Sequence, residues 1–228
     1  MNCMGKTPGL GRRLFGLSFL AICIVVFSSM ANASILPLGS CPAANPGDTV
    51  FPCDATAAPF GTLLASLSAP YTTANGTTSG TLVSAVYQEA GGTLDFYYQV
   101  IINTTGGSMS GAGGCGHGGG QGVCDPIARE TDTDFSTFVT QLTFRTNGSA
   151  APGGLFTNGT VAPVIADRNS PGGNVIGYSF FPPDGAKLKP GTTSSVLIIS
   201  TNATHFGAGN ATVLDGSGTM VASFKPTP

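Results

Sequence analysis

A clean two-residue alternation between positions 93 and 103 is the feature that most limits how this chain folds. Apolar side chains recur there at every second residue, which is the period of a β-strand with one buried face. Gly91 and Gly92 precede the run, and glycine accepts the positive φ angles that tight hairpin turns need. Since residues 81–90 are also rich in strand formers, the segment predicts a hairpin. Its inward residues are predicted to be Leu94, Phe96, Tyr98, Val100 and Ile102, and those on the other face Thr93, Asp95, Tyr97 and Gln99.

The composition extends this β prediction to the rest of the chain. Charged residues make up 9% of the sequence, against about 25% in a typical soluble domain, so good helix formers such as Glu and Lys are scarce. Thr favours strands, whereas Gly and Asn favour turns. Nine segments have strand-like patterns with no helical segment between them: 61–68, 81–90, 93–103, 135–146, 164–166, 175–181, 196–200, 211–214 and 219–224.

Short strands at this spacing indicate an all-β fold, either an antiparallel sandwich or a barrel. We expect a single antiparallel β-sandwich, Ig-like or jelly-roll-like, of about nine strands over residues 61–228. Residues 34–60 hold five prolines and are predicted to be an irregular lead-in pinned by a disulfide. Residues 106–122 are rich in glycine, have almost no apolar side chain to bury and are predicted to be a long loop.

The N-terminus predicts export from the cytoplasm. Lys6, Arg12 and Arg13 form a positive region without acidic residues, and an apolar run of residues 14–27 follows. Small residues then occupy the positions that signal peptidase reads, Ala31 and Ala33, so residues 1–33 are predicted to be a signal peptide cleaved before Ser34. A transmembrane anchor is the alternative, but 14 helical residues span about 21 Å, short of a hydrocarbon core of about 30 Å.

Two other export signals fit the N-terminus less well. Residues 12–15 (RRLF) have the look of a twin-arginine signal, but the apolar run suits the general export route better. Cys23 suggests a lipoprotein site, yet the preceding Ile22 is too large and Cys23 lies inside the apolar run. The general route is therefore favoured.

The charge of the mature chain excludes some classes of partner. Six basic and eleven acidic residues remain after residue 33, for a net charge of −5. A weakly acidic surface without a basic cluster disfavours binding to nucleic acid or to anionic membranes.

Four cysteines remain after cleavage, Cys41, Cys53, Cys115 and Cys124. An even number in an exported chain predicts two disulfides, for which three connectivities are possible. Proximity in sequence favours Cys41–Cys53 and Cys115–Cys124, each a local link across a short loop.

Residue types that carry catalysis are scarce. The two histidines, His117 and His205, are interpreted as solvated residues of a loop and of a strand end. The nearest approach to a nucleophile elbow, residues 107–111 (GSMSG), has Met109 where the nucleophilic serine would stand. Cys115, His117 and Cys124 would give a metal three ligands, too few for a closed zinc site. No catalytic residue and no cofactor are predicted.

Two charged motifs remain. Glu130, Asp132 and Asp134 alternate in a segment interpreted as a solvated loop, and they are weak candidates for calcium ligands because the further spaced oxygens of an EF-hand are missing. Asp167 and Arg168 follow a predicted strand, and we expect them to hold a turn through hydrogen bonds to backbone groups rather than to bind a ligand.

Several of these segments together resemble a known family. The chain is similar to the exported part of bacterial PEP-CTERM proteins over residues 80–87 (GTLVSAVY), 94–98 (LDFYY), 162–168 (APVIADR) and 175–180 (VIGYSF). Its last strands resemble the end of that domain at residues 195–204 (SVLIISTNAT), 209–212 (GNAT), 215–216 (DG) and 221–224 (VASF). These motifs cover most of the mature chain and contain no catalytic residue.

The resemblance implies a secreted or surface-displayed β-sandwich associated with the cell envelope or an exopolysaccharide matrix. Members of that family end in a Val-Pro-Glu-Pro-like motif, a transmembrane helix and an arginine cluster. Here residues 224–228 (FKPTP) stand where that tail would begin, so we expect a domain without a membrane anchor after cleavage.

The sequence therefore favours an exported, non-enzymatic β-sandwich with a structural or adhesive role at the cell surface or in the extracellular matrix. Its expected partners are extracellular polysaccharide or envelope components. A carbohydrate- or calcium-binding module is the alternative. An extracellular hydrolase would require two acidic residues that face each other in a cleft.

The signal-peptide prediction is tested by N-terminal sequencing of the exported protein. The mature chain is expected to begin at Ser34, because Ala31 and Ala33 satisfy the preference of signal peptidase for small residues. An exported protein that keeps residues 1–33 would contradict cleavage and favour an anchored form.

Overall fold

A computed structural model describes residues 41–74, 76, 78–104, 126–216 and 218–228. The described part is all-β, with two single-turn 3₁₀ helices at Gly148–Ala150 and Asp184–Ala186. Its strands are β1 (Thr49–Val50), β2 (Cys53–Asp54), β3 (Thr62–Thr72), β4 (Ser79–Gln88), β5 (Leu94–Ile102), β6 (Arg129–Asp132), β7 (Thr140–Arg145), β8 (Ile165–Arg168), β9 (Ile176–Ser179), β10 (Val196–Thr201), β11 (His205–Leu214) and β12 (Gly218–Thr227).

The strands form two six-stranded sheets. Sheet 1 has the order β2-β7-β10-β5-β4-β3, and sheet 2 has the order β1-β8-β9-β6-β11-β12. Neighbouring strands are antiparallel, except that β2 runs parallel to β7. The all-β prediction is confirmed.

The predicted number of about nine strands is too low for the described residues. All nine predicted segments contain a strand, and β1, β2 and β6 are additional. β1 and β2 are two residues each, so they are too short to show a period. β6 contains two acidic residues, which led to its interpretation as a loop, although it is hydrogen-bonded between β9 and β11.

The predicted hairpin is present as β4 and β5, which pair from Gln88 and Leu94 at the turn to Gly80 and Ile102 at the far end. Gly92 in the turn has a φ of 86°, the left-handed region that glycine accepts without strain. The inward-facing residues of β5 are buried, as predicted.

The prediction that only one face of this hairpin is buried is wrong. Asp95, Tyr97 and Gln99, on the other face of β5, are also almost completely buried. The side-chain amide of Gln99 donates to the carbonyl oxygens of Thr157 and Ser194, and its oxygen accepts from the Thr157 N–H. Residues outside the strands therefore cover the second face and satisfy its polar groups.

Sheet 1 thus has apolar packing on both sides. The larger cluster contains inward residues of both sheets, such as Phe96 and Leu197 from sheet 1 and Ile176 and Val213 from sheet 2. A second cluster lies on the opposite face of sheet 1. It includes Ala55, Val83, Ala85, Tyr87, Tyr97, Ala151, Phe156, Val196 and Ile198.

The lead-in that precedes β3 connects with both sheets. β1 pairs with β8 in sheet 2, and β2 pairs with β7 in sheet 1. A disulfide joins Cys41 and Cys53, whose Cα atoms are 5.7 Å apart, so the structure contains one of the two predicted links. Cys115 and Cys124 lie outside the described residues.

Removal of the Cys41–Cys53 link tests how firmly the lead-in is held. The double substitution Cys41→Ser and Cys53→Ser is expected to lower the free energy of unfolding by about 3 kcal/mol, because the unfolded chain regains the entropy of an open loop. Urea unfolding of the variant and of the oxidised wild type, in identical buffer without reductant, measures the difference. Identical unfolding midpoints and slopes would contradict the prediction.

Candidate functional site

Two carboxylic acids lie inside the molecule on β6. Glu130 and Asp132 are two residues apart, so they share the face of β6 that points at the apolar cluster between the sheets. Glu130 is 0% exposed and Asp132 is 1% exposed. No N–H group of the described residues donates to their four carboxyl oxygens, whose polar neighbours are each other and the Tyr98 hydroxyl.

Two tyrosines from opposite sheets lie beside this pair. Tyr178 on β9 is the cross-strand neighbour of Glu130, and its hydroxyl donates to the carbonyl oxygen of Ile198 at 2.5 Å. Tyr98 on β5 donates to the carbonyl oxygen of Phe224 at 2.9 Å. Each tyrosine therefore links one sheet to a backbone carbonyl of the other.

Burial changes the acid–base behaviour of the pair. Desolvation raises the pKa of Glu130 to about 7, although the neighbouring Asp132 and Arg129 partly oppose the shift. Desolvation and then the charge of Glu130 raise the pKa of Asp132 well above its usual range. In a medium of low polarity, ionising both of two neighbouring carboxyl groups costs a large free energy. The pair therefore retains a proton near neutral pH.

The basic residue nearest in sequence to this acid pair forms its ion pair on the other side of the sheet. Arg129 lies on the opposite face of β6, where its two terminal nitrogens donate to the carboxylate of Asp167 at 2.5 and 2.7 Å. Arg129 also donates to the Ser179 hydroxyl at 2.9 Å. It is therefore no direct counter-ion for the buried pair.

A second carboxyl pair lies at the turn end of β4 and β5. Asp95 is buried, and desolvation followed by the charge of Glu89 raises the pKa of Asp95 to about 8. The hydroxyl of Ser200 interacts with Asp95 and partly opposes this shift. Glu89 is half-buried, and burial raises its pKa as well.

The three calcium candidates do not converge. Glu130 and Asp132 point into the interior from a strand rather than from a solvated loop, so that interpretation of the segment is wrong. Asp134 has a φ of 75° and forms an ion pair of 2.8 Å with Lys225. Within the described residues no group of three or more His, Cys, Asp and Glu side chains could hold a metal ion.

The histidine prediction is tested at one of its two positions. His205 begins β11 with an exposed side chain, and its Nδ1 lies 3.1 Å from the Thr204 hydroxyl, which confirms a solvated strand end. His117, like Ala33 and Ser34 at the predicted cleavage site, lies outside the described residues.

Arg168 has the structural role predicted from the sequence. It ends β8, is 4% exposed, and binds four uncharged acceptors from three segments of the chain. These acceptors are the carbonyl oxygens of Gly173 (2.8 Å), Ala44 (3.1 Å) and Phe135 (2.6 Å) and the hydroxyl of Thr140 (3.3 Å). The predicted hydrogen bonds to backbone groups are confirmed, whereas the adjacent Asp167 pairs with Arg129 instead.

A groove of about 230 Å³ opens beside Arg168. One wall is residues 43–46 of the lead-in, and the other is residues 136–140, which lead into β7. The predicted strand over 135–146 begins only at Thr140, because the Phe138 N–H donates to the Phe135 carbonyl and closes a turn there. That turn forms the second wall.

Comparison with known proteins assigns no relative. The chain matches no protein-family model, no curated protein and no solved structure. The resemblance to PEP-CTERM proteins stays a prediction, and any function has to be argued from the residues of this chain.

Sequence reasoning missed both carboxyl pairs and the groove. The period of two in residues 129–132 could have indicated that Glu130 and Asp132 share a face, but two acids on a buried face contradict the usual strand pattern. Glu89 and Asp95 are only six residues apart across the hairpin turn, but the burial that shifts Asp95 comes from residues elsewhere in the chain. The groove joins chain segments far apart in sequence, for which the sequence has no local signal.

The pH dependence of stability tests the buried pair. A carboxyl group with a raised folded-state pKa stabilises the fold fully below its unfolded value and loses that contribution as pH rises through the folded value. Wild-type stability is therefore expected to fall between about pH 4 and pH 8, by about 1.4 kcal/mol per pH unit for each retained proton. Substitution of Glu130→Gln with Asp132→Asn is expected to flatten this slope in urea unfolding at a series of pH values.

Two single variants serve as controls. Asp95→Asn removes the other strongly shifted carboxyl group and separates its share of the slope. Asp54→Asn changes an exposed carboxylate that accepts the Thr56 N–H, and it serves as the surface control for the acid-to-amide substitution itself. A Glu130/Asp132 variant whose pH profile runs parallel to that of the wild type would contradict proton retention by this pair.

Proposed function

We propose that this chain is an exported, non-enzymatic β-sandwich domain with a structural or adhesive role at the cell surface or in the extracellular matrix. The features that support this proposal are the packing of the two sheets, the use of the charged residues and the character of the exposed strand faces.

The sandwich arrangement is supported by what lies between the sheets. One apolar cluster contains residues of both sheets, and the hydroxyls of Tyr98 and Tyr178 bond to backbone carbonyls across the gap in opposite directions. Such a sandwich buries its apolar residues between two layers and leaves the outer strand faces available for contacts.

The observation that carries the proposal is an exposed strand face without charged residues, while several charged side chains are buried. The charged side chains buried in the interior include Glu130, Asp132, Arg145 and Arg168. The edge strand β3 exposes uncharged side chains, mostly small ones, namely Thr62, Ser66, Ser68, Pro70 and Thr72 together with Leu64, which is 44% exposed. Hydroxyl-rich strand faces with little charge suit broad, weak contacts with neighbouring macromolecules rather than chemistry at one point.

The acid pairs do not favour a hydrolase. The general acid and the nucleophile or base of a glycosidase have to reach the substrate. Glu130, Asp132 and Asp95 are buried, so their carboxyl groups do not face solvent in this conformation. Within the described residues no helix is long and apolar enough to span a membrane.

The groove beside Arg168 supports a second candidate, a carbohydrate-binding module. Its rim offers the hydroxyl groups of Ser136 and Thr137 and the side chain of Asn45, and its wall offers the apolar surfaces of Phe138 and Val139. Binding sites for small ligands combine an apolar lining with a few polar groups in this way. No corresponding observation favours a calcium module.

Expression of the full chain in a bacterial host tests the structural proposal. We expect the mature domain in the extracellular or envelope fraction, adhesion to surfaces coated with matrix material, and no turnover of glycoside, ester or peptide substrates. Retention of the full chain in the cytoplasm would contradict the exported role. Turnover that Asp95→Asn abolishes would overturn the non-enzymatic part, because it would assign catalysis to the Glu89–Asp95 pair.

A further inference from the structure

Arg168 carries a buried positive charge that its own hydrogen bonds do not neutralise. All four of its acceptors are uncharged, and none of the described ion pairs includes it. Desolvation lowers its pKa, with no carboxylate to offset the effect. A buried charge is costly unless an opposite charge is near, so this site favours an incoming anion.

The guanidinium group lies at the groove rather than behind it. Its Nη1 donates to the Ala44 carbonyl and to the Thr140 hydroxyl, and both of these residues line the groove together with Arg168 itself. A guanidinium group has five N–H donors, and four hydrogen bonds engage it here. The N–H that makes no hydrogen bond is on Nη2, which also donates to the Phe135 carbonyl outside the groove lining. The full positive charge of Arg168, rather than a donor aimed into the groove, therefore attracts an anion.

We propose that this groove binds the carboxylate group of an acidic saccharide, a uronate residue. The proposal rests on the second candidate function above and names its ligand class. A carboxylate supplies the missing negative charge for Arg168, and arginine binds carboxylates well. The sugar hydroxyls match the exposed side chains of Ser136 and Thr137 on the rim, whereas the Asn45 side-chain amide already donates to the carboxylate of Asp48.

The dimensions and the apolar wall favour a single sugar ring over a larger ligand. The groove volume of about 230 Å³ is below the range of about 300–1,000 Å³ that is usual for drug-sized ligands. Val139 is 56% exposed and Phe138 is half-buried beside it, so a ring face has apolar atoms to contact. One uronate ring, with its neighbours in solvent, fits this combination.

A binding comparison between matched acidic and neutral sugars tests the proposal. Trigalacturonate and its neutral counterpart, galactotriose, are titrated into the mature protein by calorimetry and by amide chemical-shift mapping at low and at physiological salt. We expect the acidic sugar to bind at least tenfold more tightly, with shifts at residues 43–46 and 136–140 and with weaker binding at higher salt.

Variants at Thr137 supply matched controls, because this side chain is exposed on the rim and makes no contact that the fold requires. Thr137→Glu is expected to weaken trigalacturonate binding severalfold and Thr137→Lys to strengthen it. Thr137→Gln, which adds no charge, is expected to change binding less than either charged variant. Arg168→Lys, if folded by circular dichroism, is expected to weaken binding because lysine lacks the planar fork of donors.

Each of the other possible results contradicts a specific part of the proposal. Equal binding of both sugars would overturn carboxylate recognition and leave the carbohydrate-binding candidate standing. Absence of binding to either sugar, or shifts far from the groove, would overturn this site. Acetate or a peptide with a free C-terminus that binds as tightly as trigalacturonate would overturn the saccharide specificity. Indifference to the Thr137 charge variants would remove the groove from the binding site.

Discussion

Two buried arginines hold the lead-in against the sheets, and much of the remaining structure depends on them. Arg145 donates to the carbonyl oxygens of Thr56 and Ala58, and Arg168 donates to that of Ala44. Carbonyl groups of a segment with little regular structure would otherwise be buried without partners. Since residues 55–60 cover the outer face of sheet 1, these bonds explain why that face is buried although the described residues form no third sheet over it.

The interior contains charge of both signs, but the acids and the arginines are not paired with each other. Arg145 lies 3.4 Å from the centre of the Phe60 ring and bonds to neutral acceptors, as Arg168 does. The acids Glu130 and Asp132 are next to tyrosines and to one another. Arginine stays charged at any physiological pH, so it requires acceptors, whereas a buried carboxyl group is stabilised by keeping its proton. The buried arginines are thus stabilised by hydrogen-bond acceptors, and the buried acids by retaining a proton.

The sequence predicted most strands correctly, but it did not predict which residues pack against them. Nine segments, the Gly91-Gly92 hairpin, the Cys41–Cys53 link and the turn role of Arg168 are local properties, and local patterns indicate them. The burial of Asp95, Tyr97 and Gln99 was missed because it depends on residues 55–60 and 151–157, which fold over sheet 1 from outside it. β6 was missed for a related reason. Its acids contradict the hydrophobic pattern of a buried strand, and only the neighbouring strands β9 and β11 define it.

The groove depends on the same lead-in that stabilises sheet 1. Its first wall, residues 43–46, is held by the Cys41–Cys53 link, by the Ala44 N–H bond to the Thr140 carbonyl and by Arg168. Its second wall is the turn whose Phe135 carbonyl accepts from the same guanidinium group. Both walls are therefore fixed by one side chain that also faces the open space between them. Such a groove has its shape before a ligand arrives, and a preorganised site avoids the entropy loss of ordering its walls on binding. The residue that makes the groove rigid is also the one that gives it a positive charge, so structural and binding roles at this position are compatible rather than competing.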